Sequence, residues 1–111
     1  MKKHIKIYRS FFDYGDQDFT YSELSGQRAS DVHHIEARGM GGSKEKDHIE
    51  NLIGLTREEH DLAENGTYSK EFLKEVHTVF VNFYKKYGHV YTNGIWVMRR
   101  VAPDMYKKLL E

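Results

Sequence analysis

The sequence predicts an α+β fold in one domain, with short strands early in the chain and helices after them. Three observations carry this expectation. The apolar run Asn51-Leu52-Ile53-Gly54-Leu55 leads straight into Thr56-Arg57-Glu58-Glu59, a strand followed by a helix-starting capping box. Between Ser69 and Gly88, apolar side chains recur at the three- and four-residue spacings of an amphipathic helix. The 111 residues, 39% of them hydrophobic, are enough for one modest core.

Taken in order, Ile5 and Ile7 alternate with Lys6, which predicts a short strand or an extended arm within residues 1–19. The acidic stretch from Phe11 to Asp18 is rich in turn residues and is read as loop. Phe19-Thr20-Tyr21 and Ala29-Ser30-Asp31-Val32-His33 predict two short strands around the turn Ser25-Gly26-Gln27. After His34-Ile35 comes the loop Arg38-Gly39-Met40-Gly41-Gly42-Ser43, whose glycines allow close backbone approach. Asn51 to Leu55 is the next strand. Thr56 then caps a helix through about Glu64, with Glu59 at N3 and Gly66 beyond its end. A second helix runs from about Ser69 to Tyr87, and Phe72, Val76, Val79, Phe83 and Tyr87 mark its expected inward stripe. Asn93-Gly94, between Val90-Tyr91-Thr92 and Ile95-Trp96-Val97, predicts a β-hairpin with a type I′ turn. Pro103 suits the first turn of a short terminal helix ending at Leu110.

Composition removes several kinds of chemistry. The absence of Cys excludes disulfides, thiolate zinc sites and a cysteine nucleophile, so a metal site must use His, Asp, Glu or Asn. The basic start lacks the apolar run of a signal peptide, and nothing approaches the roughly 18 apolar residues of a membrane span. A soluble, cytoplasmic protein with no membrane partner is the expectation. Net charge is zero but unevenly spread. Lys2, Lys3, Lys6 and Arg9 stand without an acid in residues 1–10, whereas residues 11–64 hold thirteen Asp/Glu against five Lys/Arg. If nucleic acid binds, basic ends and a bound cation must offset that acidic middle.

The constellation to explain is Asp31-Val32-His33-His34-Ile35, then Asn51, then His60. Two histidines end a strand, Asn51 opens the next, and His60 lies in the first turn of the capped helix. A strand end facing a helix start can converge side chains on one point, as a metal ion held at about 2.0–2.2 Å requires. Neighbouring strand residues point to opposite faces, however, so His33 and His34 cannot both face that ion on a regular strand. The alternation predicts two roles for the pair.

In order and spacing, His33-His34-Ile35, the glycine-rich loop, Asn51-Leu52-x-x-Leu55 and His60 resemble the metal motif of the HNH (ββα-metal) endonuclease family. The resemblance covers about residues 20–66 and implies a ββα-metal core there. Residues 67–111 add a long helix, a hairpin and a short helix. It implies a metal-dependent endonuclease that hydrolyses phosphodiester bonds in DNA. His33 and His60 would be metal ligands, His34 the general base, and Asn51 the residue that ties the intervening loop. Glu64 falls where some members carry a further ligand. One divalent cation is implied, with Mg²⁺, Mn²⁺, Ni²⁺ and Zn²⁺ left open, as is a protein partner for targeting of the kind phage and mobile-element nucleases use. Many members also carry two Cys-x-x-Cys pairs around a structural zinc; here Ser22-Glu23-Leu24-Ser25-Gly26 and Thr56-Arg57-Glu58-Glu59 stand at those places. The alternative expectation is an inactive module of the same fold that binds nucleic acid, metal or a protein.

Other residues carry expectations of their own. Asp31 shares a strand face with His33 and is either its carboxylate partner or solvated. Arg38 and Arg57 are candidate phosphate contacts, Arg57 by its place at a helix N-terminus. The string Asp47-His48-Ile49 lies too close to Asn51 to form the strand-loop-strand unit and is read as loop or strand edge. His77 is read as a half-buried structural residue, Trp96 as core, and Arg99 and Arg100 as solvated. His4 and His89 carry no assignment.

Overall fold

A computed structural model describes residues 1–37, 46–88 and 95–111, with backbone only at 95–97. Among them are five α-helices and one antiparallel sheet of two strands, so the fold is α+β. The sheet pairs β1 (Asp31–His34) with β2 (Leu52–Leu55), Asp31 opposite Leu55 and His34 opposite Leu52. A 3-10 turn, Ile49–Asn51, leads into β2, and Ile35 N–H donating to the Asn51 carbonyl (2.9 Å) extends the pairing. All four residues of β2 are buried, as expected of a strand covered on both faces.

The chain opens on a helix, α1 (Lys3–Phe11), where the sequence predicts a strand or arm. Ile5, Tyr8 and Phe12 recur at spacings of three and four, and Tyr8 and Phe12 are buried. That helical face outweighs an alternation only two residues long. The expected strand at Phe19–Tyr21 is likewise reduced to one bridge, between Tyr21 and Arg28. The intervening residues are committed elsewhere: Glu23 N–H donates to the Gly54 carbonyl (3.1 Å) and Leu24 is fully buried. Gly54 is needed beneath this turn, because a Cβ there would sit 3.0 Å from the Tyr21 carbonyl oxygen and 3.1 Å from the Tyr8 hydroxyl.

The helix signals hold. In α2 (Arg57–Glu64), Thr56 accepts from Glu59 N–H (3.2 Å) while Glu59 accepts from Thr56 N–H (2.8 Å). Gly66 follows with φ +86°. Ser69 caps α3 (Lys70–Tyr87), and Gly88 ends it at φ +82°. The inward stripe of α3 is rotated from the expected one. Leu73, Val76, His77, Val79 and Phe80 are buried, Phe72 and Phe83 lie at the rim, and Tyr87 is 52% exposed. The 3-10 turn, β2 and α5 all lean on α3, so its covered face is wider and differently centred than a single stripe.

The C-terminal hairpin is corrected. Ile95-Trp96-Val97 belong to a helix, α4 (Ile95–Val101), and the Val90–Gly94 part of that expectation lies outside the described residues. α4 packs on α5 (Pro103–Leu110) and α3, with Met98 against the core, a tertiary gain that overrides β-propensity. Pro103 opens α5 as expected. Among the described residues no helix is long and apolar enough to cross a membrane.

One buried polar network ties these elements. Glu23, fully buried, accepts from the Tyr8 hydroxyl (2.6 Å) and faces His77 Nδ1 (2.9 Å). His77 Nε2 lies 2.6 Å from the Ile49 carbonyl oxygen. Both ring nitrogens thus face acceptors, and only the imidazolium can donate to both. Burial pulls the His77 pKa down, but the Glu23 carboxylate, its hydrogen bond and the Ile49 carbonyl, with Glu50 nearby, hold it above the usual 6.5. His77 is therefore structural, as expected, and buried rather than half-buried.

Because the folded pKa of His77 is raised, its stabilisation is complete below the unfolded value of 6.5 and is lost as pH rises through the folded value. Urea denaturation between about pH 6.5 and pH 9 should show a falling midpoint. A midpoint that is flat or rises across that interval contradicts an imidazolium at His77.

Candidate functional site

β1 lies between two helices, and its alternation divides the histidines. His33 and Asp31 face α2, whereas His34 faces α1. Both faces open into one cleft of about 730 Å³, lined by Asp31, His33 and His34 of β1, Lys2, Lys3 and His4 at the start of α1, Asp47, and His60 and Glu64 of α2.

On the α2 side, the His33 and His60 rings meet edge to face at 4.8 Å. A Glu64 oxygen lies 3.7 Å from His33 Nδ1 and 3.4 Å from His60 Nε2. These separations are long for hydrogen bonds. Donors about 2.1 Å from one centre stand about 3.0–3.5 Å apart, so the 3.4 Å pair matches two ligands of one ion and the 3.7 Å pair needs a shift of a few tenths of an ångström. Behind them, Asp31 Oδ2 stands 3.3 Å from His60 Nδ1, outside hydrogen-bonding alignment, so that buried nitrogen makes no hydrogen bond. A small rotation would complete the carboxylate–histidine pair that commonly orients a ligating imidazole. Burial, and after it the neighbouring His60, lowers the His33 pKa below 6.5, favouring the neutral ring that a metal requires. The donor set His33, His60 and Glu64 could therefore hold a divalent cation.

On the α1 side the spacing differs. His34 Nε2 lies 2.7 Å from Asp47 Oδ1, and the His4 ring rests against the His34 ring at 4.6 Å. A separation of 2.7 Å is that of a charge-assisted hydrogen bond, and shorter than two ligands of one ion normally allow. Both clusters carry metal-ligating residue types, and the 2.7 Å hydrogen bond of the second sets it apart from the first, whose donors stand 3.4 and 3.7 Å apart.

Asn51 lies behind the cleft, 3% exposed, and fastens the loop between the strands. Its amide accepts from Glu36 N–H (2.7 Å) and donates to the carbonyls of Glu36 (3.0 Å) and Lys46 (2.9 Å). Its own N–H donates to the His48 carbonyl (2.9 Å). The chain on both sides of Asp47 is thereby fixed.

Among the sequence-predicted residues, the structure brings His33, His34, His60 and Glu64 to the cleft and puts Asn51 behind it. Asp31 contacts His60, not His33. Arg57 does not line the cleft; it is 72% exposed and pairs with Asp31 (3.8 Å) and Asp61 (3.5 Å). Arg38 and His89 lie outside the described residues. Two cleft residues escaped the sequence reading. Asp47 sits in the string set aside as loop, and its place in a segment ending at Asn51 was the available signal. His4 gave none, because only the fold of α1 carries it to His34.

Asn51→Ala removes three side-chain hydrogen bonds, those to the Glu36 N–H and to the part-buried carbonyls of Glu36 and Lys46. Stability should fall by about 1–3 kcal/mol in urea denaturation. A change within about 0.5 kcal/mol, the range of ordinary surface substitutions, would contradict this role for Asn51.

Compared with family models, curated proteins and solved structures, the chain matches none, so the chemistry of the cleft is read from its own side chains.

Proposed function

We propose that the protein is a metal-dependent endonuclease of the HNH, ββα-metal type that hydrolyses phosphodiester bonds in DNA. The observation that carries the reading is one cleft holding two distinct groups: His33 and His60 gathered around a Glu64 oxygen, and His34 hydrogen-bonded on the other face of the same strand end. The strand–loop–strand–helix order and the loop-fastening by Asn51 agree with it.

A second agreement lies where the family's zinc-binding cysteine pairs would stand. Ser22 Oγ bonds Glu59 Oε1 (2.5 Å), joining those two segments directly. Ser22 Oγ also accepts from the N–H groups of Leu24 and Ser25, each at 3.1 Å. A hydrogen-bonded joint thus occupies the position of a knuckle, and the Tyr8–Glu23–His77 network braces it.

In this reading His33, His60 and Glu64 hold one divalent cation, and Asp31 orients His60. When bound, the ion supplies Lewis-acid stabilisation to the charge on the departing 3′ oxygen. His34, 16% exposed beside the cleft, takes the proton of the attacking water, a task suited to a neutral imidazole. Lys2 and Lys3 line the cleft, so the basic start of the chain meets the phosphates and offsets the acidic middle. DNA is the proposed partner, with a protein that supplies targeting.

Supercoiled plasmid with Mg²⁺, Mn²⁺, Ni²⁺ or Zn²⁺ tests the reading. Wild type should nick with at least one of these ions, and His34→Ala should lose about 100-fold or more. Saturating the preferred ion should raise the melting temperature by several degrees, and His60→Ala should remove that shift. Equal cutting by wild type and His34→Ala would remove the base assignment. DNA binding without cutting under every ion would favour an inactive module of this fold, a reading consistent with the acids around the site.

A further inference from the structure

We infer that Asp47 is a positioning residue that fixes the tautomer of His34, holding the ring proton on Nε2 and leaving Nδ1 as the nitrogen that accepts the proton of water. The inference rests on the proposed role of His34 as base and adds the residue that sets how that base works.

An ionised carboxylate only accepts hydrogen bonds, so a ring nitrogen 2.7 Å from Oδ1 must carry the proton. In a neutral imidazole one nitrogen carries a proton and the other a lone pair. With Nε2–H committed to Asp47, the lone pair lies on Nδ1. A carboxylate in this place also stabilises the imidazolium formed when the ring takes up a proton.

The arrangement is rigid on each side. The Asp47 side chain is 3% exposed, and a buried carboxylate facing a ring N–H makes a stronger bond than an exposed one. Asn51 holds the carbonyl of Lys46 with its amide and that of His48 with its N–H, fixing the residues before and after Asp47. His4 covers the His34 ring and opposes its rotation. Three residues, His4, Asp47 and Asn51, thus orient one imidazole. The His34–Asp47 distance also disfavours a cation shared by these two residues, as argued from its spacing above.

The tautomer can be read without cleavage. Long-range ¹H–¹⁵N spectra of the metal-free protein at about pH 8.5, where an ordinary imidazole is neutral, distinguish Nε2–H from Nδ1–H rings. His34, assigned by the loss of its signals in His34→Ala, should show the Nε2–H pattern. A predominantly Nδ1–H ring, or an even mixture, overturns the inference. Asp47→Asn tests the consequence. Its turnover should fall about 10- to 100-fold while KM and the metal-induced melting shift stay near wild type. Unchanged turnover with an intact fold overturns the positioning role. If Asp47→Asn fails to fold, the wild-type tautomer still decides. A wild type with the Nε2–H ring that cuts no DNA refutes the nuclease reading and leaves the Asp47–His34 bond standing, so the two failures are distinguishable.

Discussion

A four-residue strand cannot aim two neighbouring side chains at one point, and this chain ends such a strand with His33 and His34. Alternation sends His33 toward α2 and His34 toward α1, and the rest of the cleft follows from that division. α2 must carry His60 and Glu64 one turn apart to meet His33. α1 must present its basic first turn to His34. The loop between the strands must return Asp47 to the same place. Were β1 slipped by one residue against β2, Asp31, His33 and His34 would change faces and leave these partners behind. Register is held because Val32 is buried on the His34 face and pairs opposite Gly54, where the 21–23 turn leaves no room for a Cβ.

Holding that register in a chain of this size without a cysteine requires other joints. The core supplies bulk through Tyr8, Phe12, Leu52, Ile53, Leu55 and the buried face of α3. Direction comes from polar contacts: Ser22 to Glu59, Tyr8 and His77 to Glu23, and the Thr56–Glu59 capping box. Such a cap alone is worth about 1 kcal/mol, far below the roughly 10–16 kcal/mol of a structural zinc site, so the stabilisation is spread over many elements. Under the nuclease reading this has a consequence for dependence on metal. The fold would persist without an ion, and metal would govern the cleft alone.

Much of this was legible in local chemistry. Thr56 and Glu59 mark the start of α2, and Ser69 and Gly88 bound α3, because capping depends on residues a few positions apart. The grouping of His33, His60 and Glu64 came from the resemblance to the HNH motif, not from periodicity; helix geometry adds only that Glu64 stands one turn beyond His60. What stayed hidden depends on distant packing. The short alternation at Ile5 and Ile7 conceals a helix whose Tyr8 and Phe12 have their partners in β2 and α3. Ile95-Trp96-Val97 have strand propensity but lie in a helix packed against α5. His4 reaches His34 only through the fold of α1, and Asp47 is set beside it by the hydrogen bonds of the Asn51 amide and N–H to Lys46 and His48.

Under the proposed function, one cation would bind on the α2 side of β1 and none on the α1 side. Anomalous diffraction from crystals grown with Mn²⁺ or Zn²⁺ reads this directly. The account predicts one strong peak bounded by His33, His60 and Glu64, about 2.0–2.2 Å from the ring nitrogens, with His34 still bonded to Asp47. A peak between His34 and Asp47, or no peak in the cleft at saturating metal, would contradict it.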